Sequence, residues 1–127
     1  MHIRLDGPVS PTIAIGYHNL GSLQRAQGRF EDAERSLGEA YRQRIELYGA
    51  DNPIALRTGA AYADALTAMG KHDAAEPILR DILARQRSQA GEEISADVAR
   101  TMGYLAGALA RRGAFAEAES LFVAALE

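Results

Sequence analysis

Gly28-Arg29-Phe30-Glu31-Asp32-Ala33-Glu34, Gly70-Lys71-His72-Asp73-Ala74-Ala75-Glu76 and Gly113-Ala114-Phe115-Ala116-Glu117-Ala118-Glu119 are three versions of one phrase, separated by 42 and then 43 residues. A ring stands two places after each glycine, an alanine three places further on, and a glutamate closes the phrase. A second glycine set, Gly7, Gly49 and Gly91, recurs every 42 residues and interleaves with the first. The extra residue of the third copy falls most simply in the turn Glu92-Glu93-Ile94. Self-similarity at such a period marks stacked units, none of which buries its apolar face alone.

The stretches between the glycines agree as well. Ala55-Leu56-Arg57-Thr58 corresponds to Val98-Ala99-Arg100-Thr101, and Ala65-Leu66 to Ala108-Leu109. Each stretch has helical periodicity: Ile13, Tyr17, Leu20, Gly21 and Gln24 follow three- and four-residue steps, as do Phe30, Ala33, Leu37, Ala40 and Tyr41. Ser10-Pro11 and Asn52-Pro53 each place a capping side chain before a proline at the first helical position, and Ser95 can cap a fifth helix. Gly28, Gly70 and Gly113 stand where a helix must stop in a left-handed residue. The spacing predicts helices near 10–27, 30–48, 53–69, 72–89, 95–112 and 115–127. Gly21, Ala63 and Ala106 are equivalent, as are Ala33, Ala75 and Ala118, and such small residues let helix axes approach closely. The expected fold class is all-α, an α-α superhelix of about three hairpins. The whole chain 1–127 forms one array, with repeats near 8–48, 49–90 and 91–127, the last truncated.

Composition narrows the function. Hydrophobic residues are 47%, charged residues 24%, and net charge is −3, too mild to imply a nucleic-acid partner. Aromatics are 6% and tryptophan is absent, so the core must come from Ala, Leu and Ile. No cysteine is present, which removes disulfides, thiolate metal sites and cysteine nucleophiles. No stretch nears the roughly 18 apolar residues of a membrane span. A cytoplasmic protein is expected, and the near-exclusive use of arginine over lysine suits a bacterial one.

With these residues in place the chain resembles the tetratricopeptide repeat family. Gly28, Phe30 and Ala33, and again Gly113, Phe115 and Ala118, are similar to the turn and second-helix start of that family. Tyr17, Leu20 and Gly21 resemble its first-helix signature, with Tyr where the consensus has Trp. The second copy departs, with Gly59 and Tyr62 in the first helix and His72 at the aromatic position beside Gly70 and Ala75. The 42-residue period exceeds the family's usual ~34. Together with Leu47-Tyr48-Gly49-Ala50-Asp51-Asn52-Pro53, it resembles the long-helix subclass typified by kinesin light chain. The resemblance implies a TPR-like solenoid that binds a protein or peptide as a module of a larger protein. It further implies that first helices line the concave surface and second helices form the outside.

On that basis the residues expected to meet a partner are Ile15, His18, Asn19, Ser22, Arg25, Arg57, Asp64, Arg100, Tyr104 and Arg111. Arg57 and Arg100, in equivalent places, would favour an acidic or C-terminal carboxylate-bearing peptide. Alternatively they pair with neighbouring carboxylates or face water. Asn19 and Tyr104 could hydrogen-bond a peptide backbone. The two-carboxylate clamp of chaperone-binding members is not expected, because Ala60 and Gly103 occupy the neighbouring inner sites. Self-assembly through uncapped ends is the alternative function, giving a homo-oligomer.

No cofactor, metal or catalytic residue is expected. His18 and His72 have no second ligand at metal spacing. The acid pairs Glu31-Asp32, Glu92-Glu93 and Glu117 with Glu119 sit at helix starts, where they suit the helix dipole. No phosphate loop, nucleophile elbow or dinucleotide fingerprint appears.

Overall fold

In the computed structural model, which describes residues 8–91 and 94–126, the chain forms six helices: α1 Pro11–Ala26, α2 Phe30–Tyr48, α3 Pro53–Ala68, α4 His72–Ala90, α5 Ala96–Arg112 and α6 Phe115–Leu126. Gly7, Glu127 and the proposed insertion site Glu92-Glu93 lie outside the described residues. Every helix packs on its neighbours in sequence, and α3 also touches α5. First helices therefore stand side by side, with second helices behind them.

The ends are built as the sequence predicts. Ser10 Oγ accepts from the Ile13 amide at 3.0 Å, Asn52 Oδ1 from Ile54 at 2.9 Å, and Ser95 Oγ from Val98 at 3.2 Å. Pro11 and Pro53 open their helices. At the three hairpin turns Gly28, Gly70 and Gly113 adopt φ of +79°, +84° and +90°. The residue after each glycine then donates back to Gln24, Leu66 and Leu109 at 2.8, 2.9 and 2.8 Å. This is the Schellman closure, made three times at equivalent residues, and it turns each pair of helices back on itself.

Small residues set the helix spacing. Ala33, Ala63, Ala75 and Ala106 are fully buried. A Cβ at Gly21 would stand 2.6 Å from Leu37 Cγ, so α1 and α2 meet at the closest approach their backbones permit. Two further glycines do the same between repeats. A Cβ at Gly59 on α3 would lie 2.6 Å from Tyr41 Cε1 and 2.8 Å from Ile82 Cδ1. One at Gly38 on α2 would lie 3.1 Å from Tyr62 Cε1. Tyr41 and Tyr62 thus fill the notches these glycines leave, with ring centroids 6.2 Å apart.

The main core joins α3 to α6 through Leu56, Leu79, Ile82, Met102, Leu105 and Leu109. A smaller cluster, Ala33, Leu37 and Ala65, ties α2 to α3. Between α1 and α2 the buried contact is partly polar, with the Ser36 hydroxyl donating to Gln24 Oε1 at 2.7 Å.

One part of the expected α1 stripe is corrected. Ala14, Gly21 and Gln24 are buried, whereas Leu20 is 44% exposed and Tyr17 only partly covered. Leu20 is equivalent to Tyr62 and Leu105, which pack on the second helix of the preceding repeat. No described helix precedes α1 to do the same. Phe115, in the turn position of Phe30, is likewise 69% exposed.

Candidate functional site

The side chains expected to meet a partner fall into two clusters on the first-helix side. The first joins three helices. Arg25 of α1 forms an ion pair with Asp64 of α3, and its guanidinium carbon lies 5.8 Å from the ring centroid of Tyr104 on α5. From α1, the Arg25 side chain thus reaches both α3 and α5. Burial raises the Asp64 pKa, while Arg25 and Arg111 pull it back down. Tyr104 is half-buried, and burial followed by the nearby Asp64 charge raises its pKa. Ser22 and Asn19, about one and two turns from Arg25, are exposed.

The second cluster is centred on a residue whose part was not anticipated. Arg57 Nε and Nη2 donate to the two oxygens of Asp97 at 3.0 and 3.2 Å, across from α3 to α5. Arg100 Nη1 reaches the same carboxylate at 3.4 Å. Of the two readings open for these arginines, pairing with a neighbouring carboxylate is what the geometry contains. One carboxylate serves two guanidiniums, so a positive charge is left over. Both arginines remain half-exposed, and ion pairs so open to water are worth ~0–1 kcal/mol.

His18 departs from the expectation of an open inner-face position. Its ring is half-buried in the gap between α1, α2 and α3, with Nδ1 at 3.4 Å from both Arg44 Nη1 and Thr58 Oγ1. Burial, then the charges of Arg44 and Arg57, lower its pKa and so disfavour the charged ring. Ala60, expected beside it on the inner surface, is buried in the core. Ile15 is 50% exposed at the head of the same row.

The other face is different in kind. Several acids of the second helices are matched by bases: Asp32 with Arg29 and Arg35, Glu39 with Arg42, Glu76 with Arg80 and Arg112. Among the described residues no group of three His, Asp or Glu side chains could hold a metal ion, and no helix is long and apolar enough to cross a membrane.

Sequence reasoning missed Arg44, although it stands on the stripe Ala33, Leu37, Ala40. A charged residue continuing a buried stripe was the available signal.

Comparison with known proteins agrees with this geometry. The sequence profile of the tetratricopeptide repeat matches residues 12–88, and a second profile of the same description matches residues 98–127. Two crystal structures from Podosopora anserina, both of a putative kinesin light chain with nearly identical TPR-like repeats, superpose with TM-scores of 0.76 and 0.74 at 20% identity. In each case 91% of this chain is covered, and it spans about half of the other, 54% and 55%. No curated protein matches the sequence. Repeats of this kind are in general protein-interaction scaffolds. The chain belongs to the tetratricopeptide repeat family, and its repeats fold like those of kinesin light chain.

Proposed function

We propose that the chain binds an acidic protein segment along the inner side formed by α1, α3 and α5. The observation that supports this is a charge imbalance. Arg25, Arg44, Arg57, Arg100 and Arg111 gather on that side against two carboxylates, Asp64 and Asp97, although the chain as a whole carries −3. Acidic segments would be drawn toward this side and held by guanidinium–carboxylate pairs, with Asn19, Ser22 and Tyr104 offering hydrogen bonds to the peptide.

The test uses fluorescence anisotropy with a labelled Asp/Glu-rich peptide and a Lys/Arg-rich peptide of equal length. The acidic peptide binds more tightly, its affinity falls with salt, and Arg57→Glu with Arg100→Glu weakens it about tenfold or more. Equal affinity for the two peptides, or an unaffected double variant, overturns the reading.

A second reading, end-to-end association of copies, is favoured by the two flanks. Leu20 and Leu23 are exposed on α1, and Phe122, Val123 and Leu126 on α6. Val123 and Leu126 are equivalent to Gly38 and Tyr41, the residues that receive Tyr62 and Gly59 of the next first helix. A second copy would set Val123 against Leu20, trading a glycine–tyrosine pair for two mid-sized residues. Light scattering should show mass rising with concentration, and Leu20→Glu should abolish the rise. A constant monomer mass overturns it.

A further inference from the structure

We propose that Arg44 is the anchor for a carboxylate of the bound segment, received in the gap between α1 and α3 beside Arg57. This rests on the acidic-segment reading above and adds the residue that reads the carboxylate. Arg44 belongs to α2, behind the first helices, and its side chain comes forward between them.

The local hydrogen bonds fix it there. Arg44 Nη1 donates to Thr58 Oγ1 at 2.7 Å, and the Thr58 hydroxyl donates in turn to the Ile54 carbonyl at 3.0 Å. The threonine oxygen is thereby oriented to receive the guanidinium. The remaining neighbour, His18, has its pKa lowered by burial and by the charges of Arg44 and Arg57.

Arg44 is one of three arginines, with Arg87 and Arg111, that form no ion pair among the described residues, and of these it is the one held between His18 and Thr58. Arg25, Arg57, Arg80, Arg85, Arg100 and Arg112 each pair with a carboxylate. Among the described residues Arg44 pairs with none, and its contacts are a hydroxyl and an imidazole. A guanidinium carries five N–H donors in a planar fork; Thr58 and His18 both lie against Nη1, which leaves Nε and Nη2. These match a carboxylate presented edge-on. Partial burial penalises the unpaired charge on Arg44 and strengthens its attraction to an incoming carboxylate, because water screens that pair less than it does the exposed Arg57–Asp97 pair. The carboxylate can come from an Asp or Glu side chain or from a chain terminus, since both offer the same two oxygens.

The experiment compares wild type, Arg44→Gln and the Arg57→Glu/Arg100→Glu double variant against one acidic peptide. Three forms of the peptide are used: free C-terminus, amidated C-terminus, and side-chain acids replaced by amides. Gln is the residue at the equivalent position 86, where it is buried, so Arg44→Gln should fold; Arg44→Met is the second variant should it not. Arg44→Gln lowers affinity about tenfold or more, with the helical circular-dichroism signal retained. Binding of the peptide to wild type raises the His18 pKa, read from its Cε1–H resonance. The charged groups facing that ring are Arg44 from α2 and Arg57 from α3. Loss on amidation alone assigns the chain terminus, and loss on neutralising the side chains assigns those. Arg44→Gln within twofold of wild type, with the double variant impaired, overturns the anchor and leaves the basic-face reading standing. Unimpaired binding by both variants overturns the two together.

Discussion

Gly59→Ala tests one of the two closest joints in the stack. On its own, alanine in a helix interior is favoured over glycine by ~1 kcal/mol. The new methyl, however, would stand 2.6 Å from Tyr41 Cε1, 2.7 Å from its Cζ and 2.8 Å from Ile82 Cδ1. These are well inside the ~3.5 Å at which carbon pairs become attractive. Tyr41 has the Tyr62 ring 6.2 Å from its own, and Ile82 is buried at 1% exposure. Overpacking of this kind typically costs ~1–3 kcal/mol, so the net change is a loss of up to ~2 kcal/mol. Gly107→Ala is the internal control. It lies in the interior of α5, and a Cβ there meets nothing within 4 Å. That substitution should gain ~1 kcal/mol. Urea unfolding at 25 °C, followed by far-ultraviolet circular dichroism, gives both values from one assay. Equal stabilisation by the two substitutions would refute the claim that α2, α3 and α4 meet at Gly59.

Leu37→Ala removes a side chain of 0% exposure that packs on Gly21, and should cost ~2–5 kcal/mol in the same urea assay. Ser36→Ala leaves the buried Gln24 Oε1 without its donor and should cost ~1–3 kcal/mol, whereas Ser36→Thr, which keeps the hydroxyl, should recover part of it. His18 supplies a pH dependence. Its folded pKa lies below 6.5, so the native state disfavours the protonated ring that the unfolded chain accepts. The stability contributed by the neutral ring is complete above the unfolded value and is lost as pH falls through it toward the folded pKa. Urea midpoints should therefore decline from about pH 7.5 to about pH 5.5, and less steeply in Arg44→Gln, where one of the two opposing charges is gone.

The fold was readable because every signal that sets it is local and repeated. Each hairpin turn needs one left-handed residue and a carbonyl within reach of the next amide, and the glycine spacing records both. The caps are equally local: Ser10, Asn52 and Ser95 act on amides two or three residues away. The exposure of Leu20 was not readable in this way. Its periodicity matches that of Leu105, which is 2% exposed. What separates the two is a neighbouring helix, which α5 has and α1 lacks among the described residues. The notches at Gly38 and Gly59 were hidden for a related reason. Their partners Tyr62 and Tyr41 are 24 and 18 residues away, on a different helix in each case, so no spacing within one helix announces them.

The charged residues follow a rule of their own, and it bears on the proposed face. Pairs that join one repeat to the next are separated by 40 residues for Arg57 and Asp97, 37 for Lys71 and Glu34, 37 for Arg80 and Glu117, 36 for Arg112 and Glu76, and 34 for Arg85 and Asp51. All fall a little short of one 42-residue period. The reason is geometric: a residue faces its own equivalent one repeat on, and a long arginine leans a turn or two along the adjoining helix to find an acid. Opposite charges spaced slightly below the period are therefore a readable sign of cross-repeat pairing, and Arg57 with Asp97 satisfied it from the start. Applied downstream of Arg44, the same rule points to positions 78–84, which hold one acid, Asp81; upstream it points to positions 4–10, whose one acid, Asp6, lies outside the described residues. Asp81 sits on α4, where it bonds Arg85 at 3.0 Å. Arg44 instead leans forward to Thr58. On the anchor proposed above, a base with no carboxylate partner among the described residues, held between His18 and Thr58, can pair with one from outside the chain, which is why a single substitution at Arg44 tests the binding face more sharply than reversal of the paired arginines.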